Sequence, residues 1–161
     1  MYYGVEAGNG QGILMGMDVG RISPTRGFET AEFEVRCAKA QALMAVADIS
    51  AILLTTEPEI RYFSGFLTPF WQSPTRPWFM VVPAAGKPVA VIPEIGRNCM
   101  ATTWIDDIRT WSSPDPEDDG VSLLMEALRE AVGDGSAFGV AMGPETHLRM
   151  PLLDFEMLTR T

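Results

Sequence analysis

The chain has 161 residues, 47% hydrophobic and 20% charged, with a formal net charge of −9 at pH 7. Those values describe one globular domain with a sizeable core. They exclude a nucleic-acid surface, since phosphate contacts need clustered Lys and Arg and the only lysines are Lys39 and Lys87. No apolar run approaches the roughly 18–20 residues of a membrane span, so no membrane partner is expected. The start, Met1 to Gly20, has neither the basic n-region nor the sustained apolar block of a signal peptide. Seven glycines precede Phe28. Residues 1–27 therefore read as a flexible arm or leader and residues 28–161 as the domain.

Glu29 to Asp48 reads as an amphipathic helix, with Phe33, Cys37, Ala40, Met44 and Ala47 on one face and a Glu32–Arg36 pair on the other. Ser50 to Thr55 holds the apolar run Ala-Ile-Leu-Leu, which suits a buried strand. Thr56-Glu-Pro-Glu is a helix start. Thr56 and Glu59 can cap each other, Pro58 is tolerated in the first turn, and Gly65 can end the helix. Trp78 to Val82 and Val89 to Ile92 predict strands joined at Gly86. Glu94 to Thr103 predicts a helix with Ile95, Cys99 and Met100 inward, and Ile108 to Trp111 a short strand. Gly120 to Val132 predicts a helix with Val121, Leu124, Leu128 and Val132 on one face. Phe138 to Met142 predicts a buried strand, and Pro151 to Leu158 a last short helix. The order α-β-α-β-β-α-β-α-β-α predicts an α/β domain, a mixed β-sheet flanked by helices on both faces. Cys37 and Cys99 read as two buried thiols of a reducing, cytoplasmic compartment; a disulfide or paired metal ligands are the alternatives.

Few residues offer chemistry. Asp115, Glu117, Asp119, Gly120 and Glu126 fit positions of a calcium-loop template, but Glu stands at its third position and Pro114 and Pro116 stiffen it. A solvated acidic linker feeding a helix is the simpler account. His147 is the single histidine and sits in a short polar segment with Thr146 and Arg149, which suits a surface or cap role. Asp106 and Asp107 precede a strand and would point to opposite faces. No catalytic residues and no metal site are expected.

The aromatic loop is the strongest remaining feature. Tyr62, Phe63, Phe66, Phe70, Trp71, Trp78 and Phe79 fall within eighteen positions, and Arg76 stands one residue before Pro77 and two after Pro74. Phe63, Phe66, Trp78 and Phe79 read as core. Trp71 to Arg76 is harder to bury. Pro69, Pro74 and Pro77 lower the entropy cost of holding it in one shape, and Trp and Arg are enriched at binding hot spots.

The stretch Thr55-Thr-Glu-Pro-Glu-Ile-Arg-Tyr-Phe-Ser-Gly-Phe, the hairpin from Trp78 to Pro93 and the helix ahead of them resemble the N-terminal domain of the creatinase/prolidase family. That family includes Xaa-Pro dipeptidases, aminopeptidase P and creatinase. The similarity runs in order from Phe28 to Leu158 and holds no catalytic motif. It implies a larger C-terminal pita-bread catalytic domain as partner. In the hydrolases that second domain carries two divalent metal ions on Asp, His and Glu ligands; creatinase works without metal. No cofactor is expected in the present chain, which the resemblance suggests stops one strand before the family domain usually does.

The resemblance also implies a homodimer in which this domain lends residues to the mouth of the partner subunit's active site. Creatinase places an aromatic and an arginine of the corresponding loop near its substrate. The matching positions here are Phe70 or Trp71 and Arg76. A guanidinium can pair bidentately with a substrate carboxylate, and Trp71 could wall off the proline side of a pocket. The expectation is a non-catalytic N-terminal domain of an Xaa-Pro dipeptidase or aminopeptidase, contributing dimer contacts and gating a peptide or small-molecule substrate. The alternative is a protein- or peptide-binding module of the same fold with no enzymatic role.

Overall fold

The computed structural model describes residues 27–73, 76–134 and 137–160. The arm expected over residues 1–27 thus lies, apart from Gly27, outside the described residues. The elements are α1 (Thr30–Ala47), β1 (Ala51–Leu54), α2 (Glu57–Ser64), β2 (Phe79–Pro83), β3 (Val89–Pro93), α3 (Arg97–Met100), β4 (Asp107–Trp111), α4 (Val121–Val132), β5 (Phe138–Val140) and α5 (Leu152–Thr159). Their order is the expected one. Short 3₁₀ turns cover Pro69–Gln72 and Glu94–Gly96.

The five strands form one mixed sheet in the order β4-β3-β2-β1-β5. The β1–β2 and β2–β3 pairs are antiparallel, and the β1–β5 and β3–β4 pairs are parallel. Alternation along each strand sends its side chains to two cores. Leu54, Met80, Val82, Ala90 and Ile92 meet Cys37 of α1, Ile60 of α2, Met100 of α3 and the aromatics Phe66, Trp71 and Trp78. Ala51, Leu53, Phe79, Val81 and Val91 meet Val121, Leu124 and Leu128 of α4 and Leu158 of α5. Helices therefore cover both faces, as the element order predicts.

The start of α2 forms as its residues dictate. The Glu59 carboxylate accepts from the Thr56 amide at 3.0 Å, the Thr56 hydroxyl at 2.7 Å and the Thr55 amide at 3.2 Å. Gly65 closes the helix at φ 71°, a left-handed conformation, and its amide donates to the Arg61 carbonyl. On α1 the Glu32–Arg36 pair forms at 3.0 Å. Arg36 does more than face solvent, since its guanidinium also donates to the Tyr62 carbonyl at 2.9 Å and lies over the rings of Phe28 and Tyr62.

Several expectations need correction. The helix expected over Glu94–Thr103 is only a 3₁₀ turn and the four residues of α3. Its end is set by Thr102 and Thr103, whose hydroxyls donate to the carbonyls of Cys99 and Met100 at 2.8 and 2.7 Å. Ile95 is 54% exposed rather than inward. The adjacent Gly96 takes the inward place, so close to Trp78 that an added Cβ would stand 2.3 Å from the indole. Ala47 of α1 is exposed, and β5 is three residues long and only half-buried. No disulfide joins the two cysteines; Cys37 is buried as expected, whereas Cys99 is only half-buried. Burial pushes the Cys37 thiol up from its ordinary value.

The acidic linker behaves as a helix entry. Asp118 Oδ1 accepts from the Ser122 amide at 2.8 Å. Asp154 on α5 faces this linker: burial first, then the charges of Asp119 and Asp118, push its carboxyl up from the usual aspartate value. A carboxyl whose folded pKa is raised costs stability once ionised, and the cost disappears as pH falls through that pKa. Asp154→Asn is therefore expected to raise the unfolding temperature slightly at pH 7, by no more than about 0.5 kcal/mol in stability. The advantage should vanish under acidic conditions that protonate Asp154. Thermal melts of both proteins across pH check this; a gap that stays constant with pH would contradict it.

Candidate functional site

The strand directions decide which loops gather. β1, β3, β4 and β5 run one way and β2 the other. The carboxyl ends of four strands and the start of β2 thus share one edge of the sheet. In open α/β sheets ligands bind outside that edge, where successive connections leave toward opposite faces. Here the chain leaves β1 for α2, whose Ile60 lies in one core, and leaves β5 for α5, whose Leu158 lies in the other. The aromatic loop, entering β2, lies along the same edge.

The loop is built from the inside out. Phe66 and Trp78 are wholly buried and Trp71 is 8% exposed. Trp71 stands 6.4 Å from Phe66, edge to face, and 5.7 Å from Trp78. Sequence reasoning placed Trp71 among residues hard to bury. The 3₁₀ turn at Pro69–Gln72, started by Thr68 whose hydroxyl accepts from the Phe70 amide at 3.3 Å, turns the indole inward instead. The indole N–H groups of Trp71 and Trp78 are buried and have no hydrogen-bond partner among the described residues. Phe70 is half-buried and packs on the edge of this core. Arg76 is half-buried, with its guanidinium carbon 5.7 Å from the centre of the Phe70 ring. No carboxylate among the described residues pairs with Arg76. Phe70, Trp71 and Arg76 are thus neighbours, but only Phe70 and Arg76 present a surface.

Arg149, which sequence reasoning noticed only as a neighbour of His147, reaches into this loop. Its guanidinium donates to the carbonyls of Arg76 at 3.0 Å, Trp71 at 3.4 Å and Ser73. It also lies over the Trp71 ring, 5.5 Å from the centroid. Its own amide donates to the buried Thr55 hydroxyl at 3.0 Å. Burial pushes the guanidinium down from the ordinary arginine value. His147 is exposed. Asp106 and Asp107 diverge, as expected, to Lys87 at 2.6 Å and to Arg109 at 3.0 Å. Among the described residues no three His, Cys, Asp or Glu side chains are placed to hold a metal ion. The resemblance assigns the two metal ions to the C-terminal catalytic domain, and the described residues of the present domain do not fit them.

A mixed five-stranded sheet covered on both faces, with an arginine-bearing loop at its carboxyl edge, defines an α/β domain. The profile of the Creatinase/Prolidase N-terminal domain matches residues 36–156, and the chain belongs to that family. No curated protein matches the sequence. Among solved structures, dipeptidase PepE from Mycobacterium ulcerans is similar over 83% of this chain and 33% of its own, at 25% identity and TM-score 0.60. The prolidase from Thermococcus sibiricus is similar over 80% of this chain and 32% of its own, at 16% identity and TM-score 0.62. The N-terminal domain of Xaa-Pro dipeptidase from Lactobacillus brevis is similar over 78% of this chain and 86% of its own, at 15% identity and TM-score 0.60. The last two are likenesses of fold. The chain spans about a third of the length of the first two. Among the described residues no helix is long and apolar enough to cross a membrane.

Proposed function

We propose that this chain is the non-catalytic N-terminal domain of a creatinase/prolidase-like hydrolase acting at Xaa-Pro bonds, in the cytoplasm and as a homodimer. A C-terminal catalytic domain supplies the two metal ions and the chemistry. The present domain supplies dimer contacts and a gate over the substrate. Phe70 and Arg76 form the outer face of that gate, and Trp71 is the buried wedge beneath them. One observation carries the reading: Arg76 stands half-buried on a ring of the loop, at the carboxyl edge of the sheet, without a carboxylate partner among the described residues. A guanidinium held in that way suits the carboxylate of a short peptide. The similarity to a dipeptidase and to prolidase N-terminal domains supports the substrate class.

In the protein that carries this domain joined to its catalytic domain, Arg76→Ala is expected to lower kcat/KM for an Xaa-Pro dipeptide about tenfold or more. Its unfolding temperature should not change. Steady-state kinetics with a thermal melt of each protein checks this, and unchanged kinetics would remove the substrate role.

A further inference from the structure

We propose that Arg149 is the positioning residue of the gate, holding the backbone at Trp71, Ser73 and Arg76 so that Arg76 is presented. The inference rests on the reading above for its functional meaning, while the clamp itself stands on geometry alone. A guanidinium carries five N–H donors in a rigid planar fork. Here three loop carbonyls, those of Trp71, Ser73 and Arg76, share that fork. The acceptors are backbone atoms, so the clamp fixes the course of the chain rather than any one side chain. The stack on Trp71 adds a contact that a compact ammonium would not reproduce.

The clamp is anchored to the rigid part of the domain. The Arg149 amide donates to Thr55, whose own amide donates to the Glu59 carboxylate at the start of α2. The loop is thereby tied to the end of β1 and the cap of α2 through one residue 73 to 78 positions away in sequence. No carboxylate among the described residues pairs with Arg149, so its charge is shared only with carbonyl dipoles. It therefore adds to the positive potential around Arg76 in a chain whose net charge is −9. A side chain that merely filled space could be exchanged for Met without freeing the loop in particular.

Hydrogen exchange on the 161-residue chain tests the clamp. Arg149→Met is expected to speed exchange of the amides of Phe70, Trp71, Gln72, Ser73 and Arg76 about tenfold or more, with β1, β2 and β3 unchanged. Arg149→Lys keeps the charge but loses the fork and the stack, so it should resemble Met more than the wild type; it also carries the test if the Met variant does not fold. Unchanged loop exchange overturns the clamp. So does a rise shared equally by the loop and the strands, which would be general loss of stability. Kinetics of Arg76→Ala tests the gate separately. If those kinetics are unchanged while the loop is freed by Arg149→Met, the clamp stands and the gating reading falls.

Discussion

Trp78→Ala is expected to destabilise the domain by about 3–5 kcal/mol, the range for truncating a large buried aromatic. Trp78 is fully buried, 5.4 Å from Phe66 and 5.7 Å from Trp71 between ring centroids, and pressed against Gly96. Its removal leaves a void that three separate elements border: the aromatic loop, the turn before α3 and the first core of the sheet. Against a typical domain stability of about 5–15 kcal/mol, that loss leaves little margin. Trp78→Phe is the informative companion. It keeps a ring in place and removes an indole N–H that has no partner among the described residues, so it should cost clearly less than Trp78→Ala. Urea unfolding of the three proteins checks both statements. Equal losses for Phe and Ala would mean that ring packing is not what Trp78 contributes.

Gly120→Ala carries the second large effect, expected at about 2–5 kcal/mol from two independent costs. Gly120 has φ 84°, in the left-handed region where an L side chain is strained by about 1–2 kcal/mol. An added Cβ would also stand 2.4 Å from the indole of Trp111, which costs about 1–3 kcal/mol in a packed core. Gly86 separates the two terms. Its φ is 88° but nothing lies within 4 Å of an added Cβ, so Gly86→Ala should show the backbone cost of a positive φ alone. Denaturant melts of the two variants measure the difference. A Gly120→Ala loss no larger than that of Gly86→Ala would contradict the close contact with Trp111.

Much of the fold was legible because local chemistry and tertiary structure agree. Ala51 to Leu54 and Phe79 to Val82 are unbroken apolar runs and became the central strands, since a sheet covered on both faces has no wet side. Thr56-Glu-Pro-Glu carries its own cap, and the cap forms. The site was legible only as a region. Trp71 reads as hard to bury because Trp among polar neighbours resembles a presented surface. Its burial depends on Phe66 and Trp78 waiting on the far side of a short 3₁₀ turn, which periodicity does not report. Arg149 was invisible for a related reason. Its partners are carbonyls, and a carbonyl is the same on every residue, so no residue pattern marks them. Ile95 went outward because Gly96 is needed against Trp78, a long-range constraint that a helical wheel does not contain.

The most direct test is the hydrolysis of an Xaa-Pro dipeptide, with a divalent metal supplied, by the 161-residue chain alone and by the protein that joins it to a catalytic domain. Turnover is expected from the joined protein and none from the chain alone, since in the proposed function the chemistry belongs to the catalytic domain. Metal-dependent turnover by the 161-residue chain alone would contradict that assignment.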